Sequence, residues 1–290
     1  GILWAHIDYT SREASEWIEK SGQLSELVAE SLLAEETRPR SVSYEEGLLL
    51  ILRGVNMNPG ADPEDMVSIR LWIERDRIVS TRRRKLLSVQ DLKEQLEQGI
   101  GPRTSGEFLS EFIGRMADRI GDFVDTIEDK LSSIEEVDSD ESAQVRRRSL
   151  AMLRRQIAAV RRFVAPQRDA LDRLYRNPGK LLSDPETNRL REEADRVTRY
   201  LEDLDLARER AVVLQEELMN ELAQLQNTRM YVLSVVAAIF LPLTFVTGLL
   251  GMNVGGLPGI NSPSGFLIAL VVMIATSAAI LVYFRYRKWL

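Results

Sequence analysis

The amino-acid sequence predicts an α+β membrane protein, in which an N-terminal α/β cytoplasmic domain and a funnel or stalk of long helices precede two C-terminal transmembrane helices per protomer. Three observations predict this class. Short alternating and apolar runs fill the first 85 residues, apolar residues recur every three or four positions from Phe108 onwards, and 54 consecutive residues from Tyr231 to Phe284 contain no Asp, Glu, Lys, Arg or His. These patterns are typical of strands, packed helices and membrane spans, respectively.

Composition and charge exclude several classes of protein. The 290 residues include 44 acidic and 38 basic side chains, one histidine (His6) and no cysteine, which excludes a disulfide scaffold, a Cys/His zinc finger and a cysteine nucleophile. Three of the basic residues follow Phe284, so residues 1–230 carry 35 basic against 44 acidic groups, a net charge of −9. We therefore expect no nucleic acid partner, because phosphates need a basic surface. Common nucleotide-binding and hydrolase motifs are missing, so neither an enzyme nor a bound cofactor is predicted.

Residues 1–105 are predicted to form the cytoplasmic α/β domain. The chain opens at Gly1 without a methionine, so we expect further natural residues ahead of it. The runs LWAHI and EGLLLILR resemble strands, and MVSIRLWIE and IVSTR resemble a hairpin that turns near Arg75 and Asp76. Helices are expected after Ser11 and over the apolar pattern that ends at Leu32.

Residues 106–186 are predicted to form a cytoplasmic helical hairpin. Apolar residues are spaced three or four apart from Leu109 to Ile134 and again from Leu150 to Val164. The acidic run EEVDSDE, residues 135–141, joins the two helices. It lacks the spacing and the glycine of a calcium loop, which favours a solvated turn over a cation site.

Residues 187–250 are predicted to form one long stalk helix that continues into the first membrane span. Thr187 or Asn188 is a suitable N-cap, and apolar residues follow at spacings of four and three. No helix breaker occurs before Pro242, so the 64 residues would extend about 96 Å if straight. Such a helix mechanically connects the soluble part of the chain to the membrane.

The uncharged segment divides into two spans. Residues 231–250 and 266–284 are each long enough to cross the hydrocarbon core. The connecting loop, residues 251–265, has no basic residue, whereas Arg229 precedes the first span and the tail, residues 285–290, is basic. The positive-inside rule therefore places both termini in the cytoplasm and the loop outside it.

One face of the long helix carries small and polar residues at alternating spacings of three and four. We call this set the seam; it comprises Asn227, Met230, Ser234, Ala237, Leu241, Thr244 and Gly248. Small residues let helices pack closely, whereas hydroxyl and carbonyl oxygens can also line a cation pore with an apolar constriction at Met230 or Leu241. The seam alone favours packing over a pore. A pore would also require an oligomer, because two helices cannot enclose an aqueous path.

The end of the first span adds a specific motif. Gly251-Met252-Asn253 closes this span, after FLPLTFVTGLL and before a short loop and a second span, and the chain in this respect resembles the CorA superfamily of divalent-cation transporters. The loop VGGLPG and the stretches EETRPR, IVSTRRRK, RRFVAPQRD and RKWL are similar to its ZntB zinc-transporter branch. This resemblance, which covers essentially the whole chain, implies a homopentamer in the bacterial inner membrane with a pore lined by the first span.

The resemblance also assigns roles to the motif. It implies that Asn253 forms an outer ring that meets a hydrated cation, while Gly251 and Met252 shape the turn; apart from it, Asn253 is a loop residue and Gly251 a helix C-cap. It implies zinc as the transported ion, with proton coupling. Tight zinc sites use Cys and His, so residue chemistry alone equally allows magnesium, cobalt, nickel or cadmium. The spans contain no ionisable side chain, so any proton route would use the cytoplasmic vestibule or water.

Three further interpretations stay open. Glu216, Glu217 and Glu221 could line the funnel and attract cations, although a solvated or salt-bridged helix face is the simpler reading. A magnesium or cobalt channel is the alternative within the same class. A membrane-anchored coiled-coil sensor or scaffold, with the two-span transmembrane hairpin only as its tether, is the alternative from another class.

Overall fold

The computed structural model describes residues 1–136, 143–179, 181–252 and 263–287. The chain divides into two compact units, Gly1–Glu216 and Glu217–Leu290. The first unit contains a five-stranded sheet and the soluble helices, and the second contains two apolar helices. This architecture confirms the predicted fold class.

The sheet of the first unit is mixed and has the strand order β1-β5-β4-β3-β2. Its strands are β1 (Leu3–Asp8), β2 (Arg40–Ser43), β3 (Leu48–Gly54), β4 (Val67–Ile73) and β5 (Arg77–Arg82). β1 and β5 are parallel, and the other neighbours are antiparallel. β4 and β5 form the predicted hairpin around Arg75 and Asp76, whereas β2 was not predicted.

Short helices surround the sheet. They are α1 (Arg12–Glu16), a π-helical turn (Trp17–Ser21), α2 (Glu26–Leu33) and α3 (Leu87–Glu97). The Ser11 hydroxyl accepts a hydrogen bond from the backbone N–H of Ala14, so Ser11 caps α1 as its position indicated. Ile18, Leu32 and Trp72 belong to the apolar core between these helices and the sheet. The helix α3 was not predicted.

Three long helices bury the predicted apolar stripes in the first unit, and the last of them continues into the second unit. These helices are α4 (Ser105–Glu136), α5 (Ala143–Arg176) and α6 (Asp184–Leu250). The stripe residues from Leu109 to Leu131, from Leu150 to Val164 and from Leu190 to Leu204 are buried. Of the acidic run between α4 and α5, residues 137–141 lie outside the described residues.

The long helix α6 begins three residues earlier than the sequence indicated. Thr187 lies within its first turn, and the side chain of Glu186 accepts hydrogen bonds from the backbone N–H and hydroxyl of Ser183 at 2.7 and 2.8 Å. This is the acidic half of a capping box, and it satisfies a donor at the helix start. The prediction of a cap at Thr187 or Asn188 was therefore wrong, because Glu186 folds back on Ser183.

The second unit holds the C-terminal part of α6 and the helix α7 (Gly265–Tyr286). Both α6 and α7 are long and apolar enough to cross a membrane. α6 continues without interruption through Pro242 and ends at Leu250. Of the basic tail, residues 288–290 lie outside the described residues.

Candidate functional site

The structure leaves every residue of the seam exposed within the single chain. Met230 is 62% exposed and Leu241 is 76% exposed, and Asn227, Ser234, Ala237, Thr244 and Gly248 fall in the same class. Thus, within the part of the chain that the structure describes, no helix covers the seam. Its small and polar residues form an exposed face on an otherwise apolar helix.

A different face of the first span is partly covered. Its half-buried residues are Val235, Ala238, Ile239, Pro242, Leu243 and Val246. At 100° per residue they occupy an arc separate from the seam. On α7 a comparable stripe of half-buried or buried residues consists of Ala269, Met273, Thr276, Ser277, Ile280 and Phe284. Both stripes follow helical spacing, which indicates that these faces, and not the seam, pack within the hairpin. The sequence offered no signal for this face, because it is as apolar as much of the exposed surface of the same helix.

The hydroxyl groups of the seam are satisfied by their own helix. Ser234 Oγ donates to the backbone oxygen of Met230, and Thr244 Oγ1 donates to that of Phe240, both at 2.8 Å. A hydroxyl that donates in this way keeps its oxygen lone pairs as acceptors. These oxygens can therefore contact a cation or its water shell at no cost to the helix.

Glycines mark the end of the first span. A Cβ added at Gly248 would meet no atom within 4 Å, so the chain itself leaves open space there. Gly251 N–H donates to the oxygen of Thr247 at 2.9 Å and closes the last turn, and the exposed Met252 follows it. Asn253, the predicted outer ring residue, lies outside the described residues together with residues 254–262.

The three glutamates predicted for the funnel lie on α6. Glu216, Glu217 and Glu221 are all exposed, and Glu217 and Glu221 are one helical turn apart. Among the described residues, no group of three His, Asp or Glu side chains is placed to hold a metal ion. The described part of the chain thus offers dispersed carboxylates and uncharged oxygens, which suit weak contact with a passing ion.

These features define a class: a membrane protein in which an α/β domain and long helices precede two apolar helices joined after a Gly-Met-Asn motif. The family whose profile matches residues 1–287 is described as CorA-like Mg2+ transporter protein. The divalent cation transporter CmaX of Pseudomonas aeruginosa is 42% identical over 290 residues, which cover 99% of this chain and 87% of that protein. The zinc transport protein ZntB of Yersinia enterocolitica is 35% identical over 287 residues, covering 99% and 88%. The chain therefore belongs to the CorA-like Mg2+ transporter family.

Solved structures agree with this assignment. The structure of the full-length CmaX protein superposes with a TM-score of 0.85 at 39% identity, covering 99% of this chain and 89% of that one. The CorA magnesium transporter of Methanocaldococcus jannaschii has the same fold, with a TM-score of 0.83 at 18% identity and coverage of 99% and 91%. The resemblance to the CorA superfamily and its ZntB branch is confirmed. These relatives are transporters and not enzymes, as the sequence indicated.

Proposed function

We propose that this protein is a homopentameric transporter of the bacterial inner membrane, which moves divalent cations through a central pore lined by the seam. The observation that carries the proposal is the separation of two faces on the first span. One face is half-buried, and the other, the seam, is exposed at all seven of its positions, five of which lie within the span. A polar face is unfavourable against lipid, and symmetric assembly around an axis would remove it from lipid.

The chemistry of the seam suits a cation that keeps much of its water. Uncharged oxygens from Ser234 and Thr244 can accept hydrogen bonds from a hydration shell without holding the ion. Asn253 follows the last turn of the helix and would supply an amide oxygen to an outer ring, with Gly251 and Met252 shaping the approach. Leu241 and Met230 would form apolar constrictions that can control hydration of the path.

Zinc is the ion we favour. The relatives named ZntB are zinc transport proteins, whereas the CmaX relative is named a divalent cation transporter. The chain has no cysteine, so zinc would pass mainly hydrated and would not be bound tightly. Magnesium, cobalt, nickel and cadmium are the other candidate ions.

The proposed orientation of the chain in the membrane and the proposed cation entrance on its cytoplasmic side both rest on charge. Both termini would lie in the cytoplasm, because basic residues flank each span at the end away from the connecting loop and are missing from the loop itself. Glu216, Glu217 and Glu221, repeated in five copies, would raise the local cation concentration at the entrance. Proton coupling, if present, would run through this vestibule or through water, because the spans hold no ionisable side chain.

Flux into liposomes tests the proposal. The full chain is reconstituted, and uptake of zinc, magnesium and cobalt is measured with and without a pH gradient for the wild type and Asn253→Ala. Val236→Ala is the matched control, because Val236 is exposed but belongs to neither the seam nor the half-buried face. We expect uptake of zinc that Asn253→Ala changes and Val236→Ala does not.

Other results would reject parts of the proposal. No flux of any divalent ion would support the membrane-anchored scaffold instead. Flux that ignores the pH gradient would remove proton coupling, and flux of magnesium or cobalt without zinc would support the CorA-like channel. Native mass spectrometry of the same sample measures the number of chains in the assembly. Any number other than five rejects the pentamer.

A further inference from the structure

A cavity in the first unit has an unusual excess of positive charge. It has a volume of about 420 Å³ and opens beside β3 and β4. Its charged lining residues are Glu35, Arg53, Asp65, Arg70, Arg83 and Arg84. Four arginines against two acids give the cavity a formal charge of +2, in a domain that is acidic overall.

Arg70 is the most deeply buried of these four arginines. It stands on the interior strand β4, and it is 1% exposed. Its Nη2 donates to the backbone oxygens of Ala34 and Glu35, whereas its Nε and Nη1 are buried without a hydrogen-bond partner. The guanidinium also lies over the ring of Tyr9, with Cζ 4.8 Å from the ring centroid. A buried cation with unused donors is costly unless an anion accompanies it.

Arg53 is a second, half-buried arginine on the neighbouring strand, and its guanidinium lies over the ring of Phe163, with Cζ 4.2 Å from the ring centroid. In the β3–β4 register it pairs with Ser68, two residues from Arg70, so both arginines point from the same face of the sheet. Its guanidinium donates only to backbone oxygens, those of Thr37 and Met66. Burial and the positive charges of Arg70 and Arg84 lower its pKa. Among the described residues, no carboxylate forms a salt bridge with either guanidinium.

The acidic residues of the cavity offset the charge of this pair only at a distance, through the negative charge of Asp65 near Arg53. Asp65 is engaged with Arg84, whose Nη2 donates to Asp65 Oδ1 at 3.1 Å. Glu35 is exposed at the rim, and Arg83 is exposed beside it. The positive charge at Arg53 and Arg70 is therefore left for a ligand.

We propose that this cavity binds the phosphate group of a small soluble molecule, with Arg53 and Arg70 as its principal donors. Guanidinium groups present planar sets of N–H donors that match phosphate oxygens, and such charge-assisted hydrogen bonds are strong. The cavity falls in the size range of small-molecule sites and is larger than one phosphate needs, which leaves room for the rest of a nucleotide or a phosphorylated metabolite. This site is independent of the pore and of the transport proposed above.

Calorimetric titration of the full chain in detergent tests the proposal. The probes are orthophosphate and ATP, added in metal-free buffer at constant ionic strength, so that chelation by ATP does not interfere. We expect saturable binding of one probe per chain, and the tighter probe shows whether free phosphate or a nucleotide supplies the group. Arg70→Gln and Arg53→Gln should each weaken binding by about tenfold or more.

A second variant keeps the test valid if a buried arginine is needed for folding. Asp65→Asn removes an exposed carboxylate and releases Arg84, so it should tighten binding several-fold. Asp62→Asn, an equal charge change on the same loop outside the cavity lining, should leave affinity unchanged. The proposal is overturned if the wild type binds neither probe, if Asp65→Asn binds no tighter than Asp62→Asn, or if a folded Arg70→Gln chain binds as the wild type does.

Discussion

Gly121 on α4 lies directly against Tyr200 on α6: a Cβ at Gly121 would come 2.8 Å from the Tyr200 hydroxyl oxygen and 2.9 Å from its Cζ. Gly106 and Gly114 on the same helix lie against Glu186 and Glu193 in the same manner. The glycines are spaced eight and seven apart, and their α6 partners are spaced seven apart. The two helices therefore run parallel over two heptads, with long α6 side chains lying over the α4 glycines.

Replacement of Gly121 by alanine should destabilise the first unit. The added methyl group meets a tyrosine ring, and overpacking of this kind costs about 1–3 kcal/mol, more than the roughly 1 kcal/mol of helix propensity that alanine adds. Chemical unfolding of the purified chain measures the change. Gly114→Ala is the matched control, because its methyl group would meet only the flexible Glu193 side chain at 3.3 Å, so it should be neutral or stabilising. Equal losses in both variants would contradict the prediction.

The pH dependence of stability should contain a contribution from His6. Its Nδ1 lies 2.8 Å from Ser80 Oγ and its Nε2 is buried without a partner. Burial, followed by the charge of Arg82, lowers the pKa of His6 from 6.5 to about 4. Between these values the unfolded chain binds more protons than the folded chain, so stability falls as pH drops from 6.5 towards 4, by about 2–3 kcal/mol.

The variant His6→Gln isolates this contribution from the carboxylates that titrate in the same range. Its free energy of unfolding should fall less steeply than that of the wild type between pH 6.5 and 4, while the two curves run parallel above pH 7. Urea unfolding at a series of pH values measures both curves. Parallel curves over the whole range would show that His6 does not carry the effect.

Gln167 on α5 should be needed for the stability of the first unit. It is 1% exposed, and its Oε1 accepts a hydrogen bond from the backbone N–H of Arg53 at 2.8 Å. β2 begins too late in the chain to pair with this N–H, since its first residue, Arg40, pairs with Ile51. Gln167→Leu would leave a buried donor unsatisfied, at a cost of about 1–3 kcal/mol in unfolding free energy. Gln144→Leu, on an exposed position of the same helix, should change it little in the same unfolding assay.

Gly248→Leu tests the seam without disturbing the single chain. A side chain at Gly248 meets no atom of its own chain within 4 Å, so the protomer should fold normally. In the proposed pentamer five such side chains would narrow the path, and uptake of divalent cations into liposomes should fall about tenfold or more. Ala275→Leu places the same side chain at an exposed position of α7 and should leave uptake unchanged. Equal uptake by the two variants would place Gly248 away from the pore.

Local patterns were sufficient for many elements. The β4–β5 hairpin and the stripes of α4, α5 and α6 were predictable because alternation and heptad spacing reflect the geometry of a single strand or helix. β2 and α3 were missed: β2 has only four residues with no buried side chain, and α3 has a weakly apolar sequence whose buried residues are few. The start of α6 was missed by three residues, because Glu186 reaches back to Ser183.

The candidate site, too, was predictable from the sequence only in part. The seam was visible in the sequence as a helical spacing of small and polar residues, but spacing does not tell whether a face is covered. Only the structure shows that the seam is exposed while another face, from Val235 to Val246, is half-buried. The arginine cavity left no local signal, because Arg53 and Arg70 become neighbours only through strand pairing.

The sequence alone determined that this protein has an acidic soluble part, two uncharged spans and a Gly-Met-Asn motif between them, since charge, hydropathy and helical period are properties of contiguous residues. The tertiary structure decided the parallel pairing of β1 with β5, the contact of α4 glycines with α6, and the convergence of Arg53 and Arg70. These depend on residues distant in the chain, whose approach is selected by burial of the whole core and not by any one segment.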